Sequence, residues 1–414
     1  MQTRTSNRAP DWRRPLSDIA LQALTASCVN MLSGHADRVF KAVSPAVPTI
    51  ESKAIILRCI MRFLTSILLR AISVGSLAAA FMIAFPSTST AQAESHERQV
   101  PFLTLRNLAE ADGGGRFFGD ERSHLRAGWC RVRDLELGSI APLADSAPAF
   151  IRGQLLRVDE IRVTRSSVVL DALQDSASKN APAIYVHGYY IDFDKGCRRA
   201  ALLQENASLT DRFLWFSWPS DGDLANYMRD EADLYWSVLD LADAIIELER
   251  RFGSGAVDVV GHSLGARGVA LALYEVAYRR PDIRLDAIVL LAPDMDFAIF
   301  QRLLPRISLI ARNVTIYVTD ADRPLALSAQ LHGYPRLGEA GDHLETLSGV
   351  EVIDLSDIGS EGPTGHLYHV YSKAVGKDLS QLLNDGRHAA ERRNLIQTGP
   401  NSWKMRKAGV SVPD

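Results

Sequence analysis

Between residues 183 and 357 short apolar runs recur, each ending in small or acidic residues: AIYVHG at 183–188, RFLWFSWP at 212–219, AVDVVGHS at 256–263, LDAIVLLAPD at 285–294, NVTIYVTDAD at 313–322 and VEVIDLSD at 350–357. Amphipathic segments separate them, among them LANYMRDEADLYWSVLDLADAIIELERRF at 224–252. Continuous apolar runs suit strands buried on both faces, and a helix between successive strands is what parallel pairing requires. The pattern predicts an α/β protein with a mostly parallel central sheet and helices on both faces. Right-handed crossovers then put the carboxyl end of every strand on one rim, where open α/β sheets bind their ligands.

Upstream the rhythm is different. From about residue 100 to 180 it is mixed, with GGG at 113–115 and a stretch, FIRGQLLRVDEIRVTRSSVVLDAL at 150–173, that alternates as half-buried strands do. We read residues 94–180 as an accessory region with strands, set off by the polar break SASKNAP from the α/β domain at 181–385. Residues 386–414 read as a polar carboxyl-terminal tail.

Further upstream, MRFLTSILLRAISVGSLAAAFMIAFPSTSTAQAES, starting at Met61, has the parts of an export signal in order. Arg62 and Arg70 supply positive charge, residues 71–85 the apolar stretch, and Ala91-Gln92-Ala93 a small-residue cleavage pattern. The apolar run stops short of the roughly 20 residues that span hydrocarbon, and Pro86 follows it. Cleavage would start the mature chain near Glu94 and send it to the periplasm or outside the cell. An uncleaved anchor at 71–85, holding the protein to the membrane and facing the periplasm, is the alternative. Because such signals normally begin a chain, we expect translation to start at Met61; a poorly ordered extension over residues 1–60 is the other reading.

Composition narrows the function. Of 414 residues 47% are apolar and 23% charged, enough for a packed core and unlike a disordered chain. Asp and Glu total 49 against 46 Lys and Arg, a net charge of −3, so no broad basic footprint for nucleic acid exists. Cys28 and Cys59 precede the cleavage pattern, leaving Cys130 and Cys197 in the mature chain. In an exported protein they pair or remain two buried thiols; spacing alone leaves both open. No metal-ligand spacing occurs.

The candidate chemistry centres on Gly261-His262-Ser263-Leu264-Gly265, a G-x-S-x-G between an apolar strand and a helix-like run. A serine there sits in a tight strained turn with its hydroxyl lifted toward substrate, and the glycines remove side chains that would collide with neighbouring backbone. A serine hydroxyl needs a general base, an acid to orient that base, and donors for the oxyanion. In chain order the acid and then the histidine should follow. His366, in the loop after the last candidate strand, is the favoured base over His369, for which a packing role is the simpler reading. Asp294, Asp296, Asp320 and Asp322 are the candidate acids. Strand counting favours Asp320 or Asp322, and leaves turn and helix-capping roles for Asp294 and Asp296. The oxyanion donors should be the N–H groups of Leu264 and Tyr189, with His187 shaping the Tyr189 loop.

These residues resemble the α/β-hydrolase superfamily, and more narrowly a bacterial, esterase-like serine hydrolase branch of uncharacterised activity. The resemblance covers about residues 180–370. It rests on HGYY, FLWFSWPSDGDLANYMRDEAD, GHSLG, LLAPDMD, YVTDADRPLALSAQLHGYPRLG and the final Gly-His. It implies an α/β-hydrolase fold and a triad of Ser263, Asp322 and His366. It also carries Arg323, Ser328, Arg336 to Gly338 and Gly365 as motif positions, and needs no metal or organic cofactor. Tyr190 stands where the branch has Asn, and Pro324 where it has Ala. The expected substrate is a small-molecule or lipid-like acyl ester, with thioester and amide open. The segment FAIFQRLLPRISLIA at 297–311 reads as a crossover helix, with a lid over an acyl pocket as the alternative. A non-catalytic envelope-associated scaffold that keeps the fold is the rival functional class.

Overall fold

The structure, a computed structural model, describes residues 97–109, 117–135, 147–176, 181–359 and 364–406. The signal, anchor and extension read from residues 1–93, and the GGG at 113–115, lie outside the described residues. The strands β1 (Glu97–Leu108), β2 (Phe118–Asp134), β3 (Leu156–Thr164), β4 (Ala183–Val186), β5 (Phe213–Ser217), β6 (Asp258–His262), β7 (Leu285–Leu291), β8 (Ala311–Val318), β9 (Glu351–Asp354), β10 (Leu395–Gln397) and β11 (Ser402–Met405) make one sheet. Its order is β10-β11-β9-β8-β7-β6-β4-β5-β1-β2-β3. Every neighbouring pair from β11 to β1 is parallel, while β2, β3 and β10 are added antiparallel at the edges.

Helices α1 (Ser166–Ser176), α2 (Phe193–Asn206), α3 (Tyr227–Phe252), α4 (Leu264–Arg279), α5 (Phe297–Ile310), α6 (Arg323–His332) and α7 (Lys373–Leu383) cover the sheet. Strand residues alternate between two cores. Ile184, Val186, Val259, Ile316 and Val318 pack with α1, α3, α4 and α5 on one face; Tyr185, Val260, Tyr317 and Ile353 pack with α2 and α7 on the other. Both sides of each central strand are therefore apolar, which is why these strands read as unbroken runs.

Three sequence expectations need correction. The accessory region does not stand apart: β1 pairs with β5 in parallel and β2 and β3 continue from it, so these three strands form one side of the central sheet. Within 150–173 only Leu156–Thr164 is strand; Ser166–Ser176 is helix, burying Val169, Leu170 and Leu173 on one helical face. The segment after residue 385 is not merely a tail, because β10 and β11 extend the opposite edge and bury Leu395, Trp403 and Met405. Those strands are three and four residues long, too short for a period to be legible.

Helix α5 runs directly from the β7 exit into β8 and buries Phe300, Leu304, Ile307 and Ile310, so it is the expected crossover rather than a lid. No helix among the described residues is long and apolar enough to cross a membrane. Cys130 of β2 and Cys197 of α2 form a disulfide 67 residues apart in sequence, tying the first strands to the body. Closing a loop of that length removes unfolded-chain entropy, and we expect the Cys130→Ala/Cys197→Ala double variant to lose about 2–4 kcal/mol. Urea unfolding with and without reductant measures this; an unchanged midpoint would contradict it.

Candidate active site

At the carboxyl end of β6 the chain turns into α4 through Ser263, which is buried and adopts φ 55°, ψ −123°. A non-glycine residue in this region is strained and persists only when its surroundings hold it. Here they do: the Ser263 N–H donates to the Leu291 carbonyl at 2.9 Å, and its carbonyl accepts from Ala266 and Asp294 at 3.0 and 3.1 Å. The glycines are required by contact. A Cβ on Gly261 would lie 2.6 Å from Ala266 Cα, and one on Gly265 2.1 Å from the His187 carbonyl oxygen. Gly188 is squeezed likewise, since its Cβ would stand 2.9 Å from both Ser263 Cβ and His262 Nδ1. The loop after β4 therefore lies against the serine.

The base and acid candidates meet. His366 Nδ1 is 2.6 Å from Asp322 Oδ2, while Asp322 Oδ1 accepts the Leu325 N–H at 3.0 Å and caps α6. A carboxylate only accepts, so this contact puts the imidazole proton on Nδ1 and leaves Nε2 as the acceptor. Asp322 and His366 are joined by their loops as well: Arg323 N–H donates to the Thr364 carbonyl at 3.2 Å. Gly365, at φ 72°, lets its Cα approach the Ala321 carbonyl where a Cβ would be 2.4 Å away. Pro324 falls in the first turn of α6, where its missing N–H and fixed φ are harmless.

The His366 loop sits over the elbow, its carbonyl 3.1 Å from His262 Nε2 and its ring 4.6 Å from the His262 ring. His369 differs. It is fully buried, has no carboxylate partner among the described residues, lies 3.5 Å from the Tyr185 hydroxyl, and burial drives it well below the usual imidazole range, as it does His262. His187 is structural in the sense expected: it stacks on Trp218 with ring centroids 5.0 Å apart, Nδ1 contacts the Gly188 carbonyl at 2.8 Å, and burial lowers it to about 3.

Of the other acid candidates, Asp320 is exposed, and Asp296 caps α5 by accepting the Ile299 N–H at 3.0 Å. Asp294 has a role the sequence did not disclose. It is buried behind the serine and accepts from Ser328 Oγ at 2.6 Å and Tyr227 Oη at 2.7 Å. Arg336 lies 3.0 Å from it and Arg267 3.4 Å, and Arg267 also reaches Glu231 and Tyr235. Burial alone would raise this carboxyl, but Arg267, the Ser328 bond and Arg336 hold it below its ordinary value. Gly338 and Leu337 donate to the carbonyls of Pro293 and Met295, so the Arg-Leu-Gly and Ala-Pro-Asp motifs are two halves of one structure. Motif spacing marked these positions without revealing their contact.

The Leu264 N–H is the first of α4 and has no acceptor within the helix. Tyr189 lies in the loop pressed against Ser263, its ring 5.1 Å from that of Tyr227. Among the described residues no cluster of three or more His, Cys, Asp or Glu could hold a metal ion.

Residues 163–385 match the family described as alpha/beta hydrolase of unknown function (DUF900). No curated protein sequence matches the chain. Solved structures similar to it include a carboxylesterase from Bacillus subtilis, at 13% identity over 53% of this chain and 97% of that one with a TM-score of 0.27. The alpha/beta hydrolase domain-containing protein 10 from mouse is 16% identical over 42% and 80% of the two chains, TM-score 0.24. The RedJ thioesterase of prodiginine biosynthesis in Streptomyces coelicolor is 17% identical over 48% and 87%, TM-score 0.24.

The Asp294 cluster yields a stability prediction. Arg336→Met leaves the buried carboxylate with one nearby guanidinium and should cost about 3 kcal/mol, whereas Tyr227→Phe, which removes one neutral donor, should cost about 1 kcal/mol. Denaturant unfolding of the two variants gives the comparison; equal losses would mean that Asp294 does not depend on its cations.

Proposed function

Since the chain belongs to the DUF900 family of alpha/beta hydrolases, we propose that it is a serine hydrolase that cleaves an acyl ester through an acyl-enzyme, with Ser263, His366 and Asp322 as its triad. The observation that carries the reading is the 2.6 Å contact between His366 Nδ1 and Asp322 on a loop packed over the strained Ser263 turn. His366 takes the Ser263 proton through Nε2 as the hydroxyl attacks the acyl carbonyl. Asp322 keeps the imidazole in that tautomer and stabilises its cation. The N–H groups of Leu264 and Tyr189 receive the tetrahedral oxyanion, each such donor being worth about 3 kcal/mol where one has been removed. Protonation of the leaving alcohol by the same imidazole frees it, and water, activated in turn by His366, releases the acid.

Substrate class follows from less. A small-molecule or lipid-like carboxylic ester is the default for this arrangement, and the acyl group is set by pocket side chains rather than by the triad. The reading places the protein in the periplasm or outside the cell, in keeping with the Cys130–Cys197 disulfide, which persists in oxidising compartments.

Labelling of the purified protein with a fluorophosphonate tests the proposal. The wild type should label rapidly, Ser263→Ala and His366→Ala should not, and Asp322→Asn should react roughly 10²–10⁴ times more slowly. A folded wild type that does not label would overturn the enzyme reading in favour of a binding scaffold.

A further inference from the structure

The segment that follows β4, His187-Gly188-Tyr189-Tyr190-Ile191, is held by side chains from three other parts of the chain. Trp218 Nε1 donates to the His187 carbonyl at 2.8 Å, Ser220 Oγ accepts the Ile191 N–H at 2.9 Å, and Arg106 of β1 donates to the Ile191 carbonyl at 2.7 Å. A further anchor is Asp230, in the first turn of α3 and wholly buried. One of its oxygens accepts the Tyr190 N–H at 3.2 Å and the Ser220 hydroxyl, and the other accepts the Asp221 N–H at 3.0 Å.

Tyr190 adopts φ 64°, a left-handed conformation that a tyrosine holds only under constraint. Its N–H belongs to the peptide that follows Tyr189, so gripping it limits how the Tyr189 backbone can rotate. Gly188, one residue earlier, is in contact with Ser263. Packing alone would not call for a carboxylate here, because burial disfavours the ion and pushes this one up to about 6. Two acceptor oxygens are needed because three donors converge from two loops, and an amide in the same place would turn its NH2 toward an N–H.

We propose that Asp230 is a positioning residue of the oxyanion loop, holding the Tyr189–Tyr190 peptide so that the Tyr189 N–H meets the oxyanion formed at Ser263. This rests on the serine-hydrolase reading above. Removing the grip misaims a donor that acts on the transition state more than on bound substrate, so kcat falls and KM stays.

The test compares wild type, Asp230→Asn and Ser220→Ala on a short-chain p-nitrophenyl ester, on a fluorophosphonate, and for inhibition by phenylboronic acid, which becomes tetrahedral on the serine. Asp230→Asn should lower kcat and the labelling rate about 10- to 100-fold, leave KM within about threefold, and weaken boronate inhibition by the same factor as kcat/KM. Ser220→Ala, which removes one hydroxyl and keeps the carboxylate, should show the same signature at about 3- to 10-fold, and decides the matter if Asp230→Asn does not fold. Folded variants that label and turn over like wild type, or that lose activity through KM with boronate inhibition intact, overturn this inference alone. A wild type inert to the fluorophosphonate overturns it together with the hydrolase reading.

Discussion

A serine at φ 55° between a buried strand and a buried helix is the constraint around which the other elements are arranged. Such a conformation costs on the order of 1–3 kcal/mol and must be over-determined by its neighbours. β7 supplies an acceptor for its N–H, the Asp294 amide a donor to its carbonyl, and Gly188, Gly261 and Gly265 supply closeness. With Gly265 a Cβ width from the His187 carbonyl, the loop after β4 cannot lie anywhere but beside the serine. The same contact that permits the turn thus keeps Gly188 against Ser263.

Behind this rim the molecule buries carboxylates that join loops. Asp258, at the start of β6, accepts the Ala287 N–H at 2.8 Å and pairs with Arg212, which also donates to the Ala181 and Leu383 carbonyls. Asp294 gathers α3, α4, α6 and the Arg336 segment; Asp230 gathers the Tyr189 loop and the turn at Ser220. Each is expensive to bury and strongly destabilising to leave half-paired. What Asp294 and Asp230 provide is register between loops that share no backbone ladder.

That division explains what could be read from the chain. Strands β4 to β9 were legible because both their faces are apolar, and the turn at Ser263 because it stands between a strand and a helix, whereas chain order left Asp320 and Asp322 open and only the resemblance chose between them. The edges were not. β1 is buried along its middle but carries Thr104 and Arg106 within that run, β2 and β3 alternate weakly, and β10 and β11 are too short to show any period. Asp294 looked like turn chemistry because nothing local distinguishes a capping aspartate from one that meets Arg336 across 42 residues; only the fold brings the Ala-Pro-Asp and Arg-Leu-Gly segments together. Motif spacing marks such residues, and contact explains them.

Tyr190 shows how a departure from a pattern can be absorbed. Asparagine suits the left-handed region better than any residue but glycine, so a position at φ 64° accounts for the Asn that the resembling branch carries there. A tyrosine in its place adds strain of about 1–2 kcal/mol. Lys195, in the first turn of α2, offsets part of it: its ammonium sits 3.3 Å from the centre of the Tyr190 ring and donates to the Tyr190 carbonyl at 2.8 Å. A cation over an exposed ring contributes about 0.5–1 kcal/mol, leaving a remainder for the Asp230 bond to hold. Backbone geometry at this loop is therefore set by the groups around it rather than by the residue that occupies it. For that reason a tyrosine can stand in a conformation that suits asparagine better.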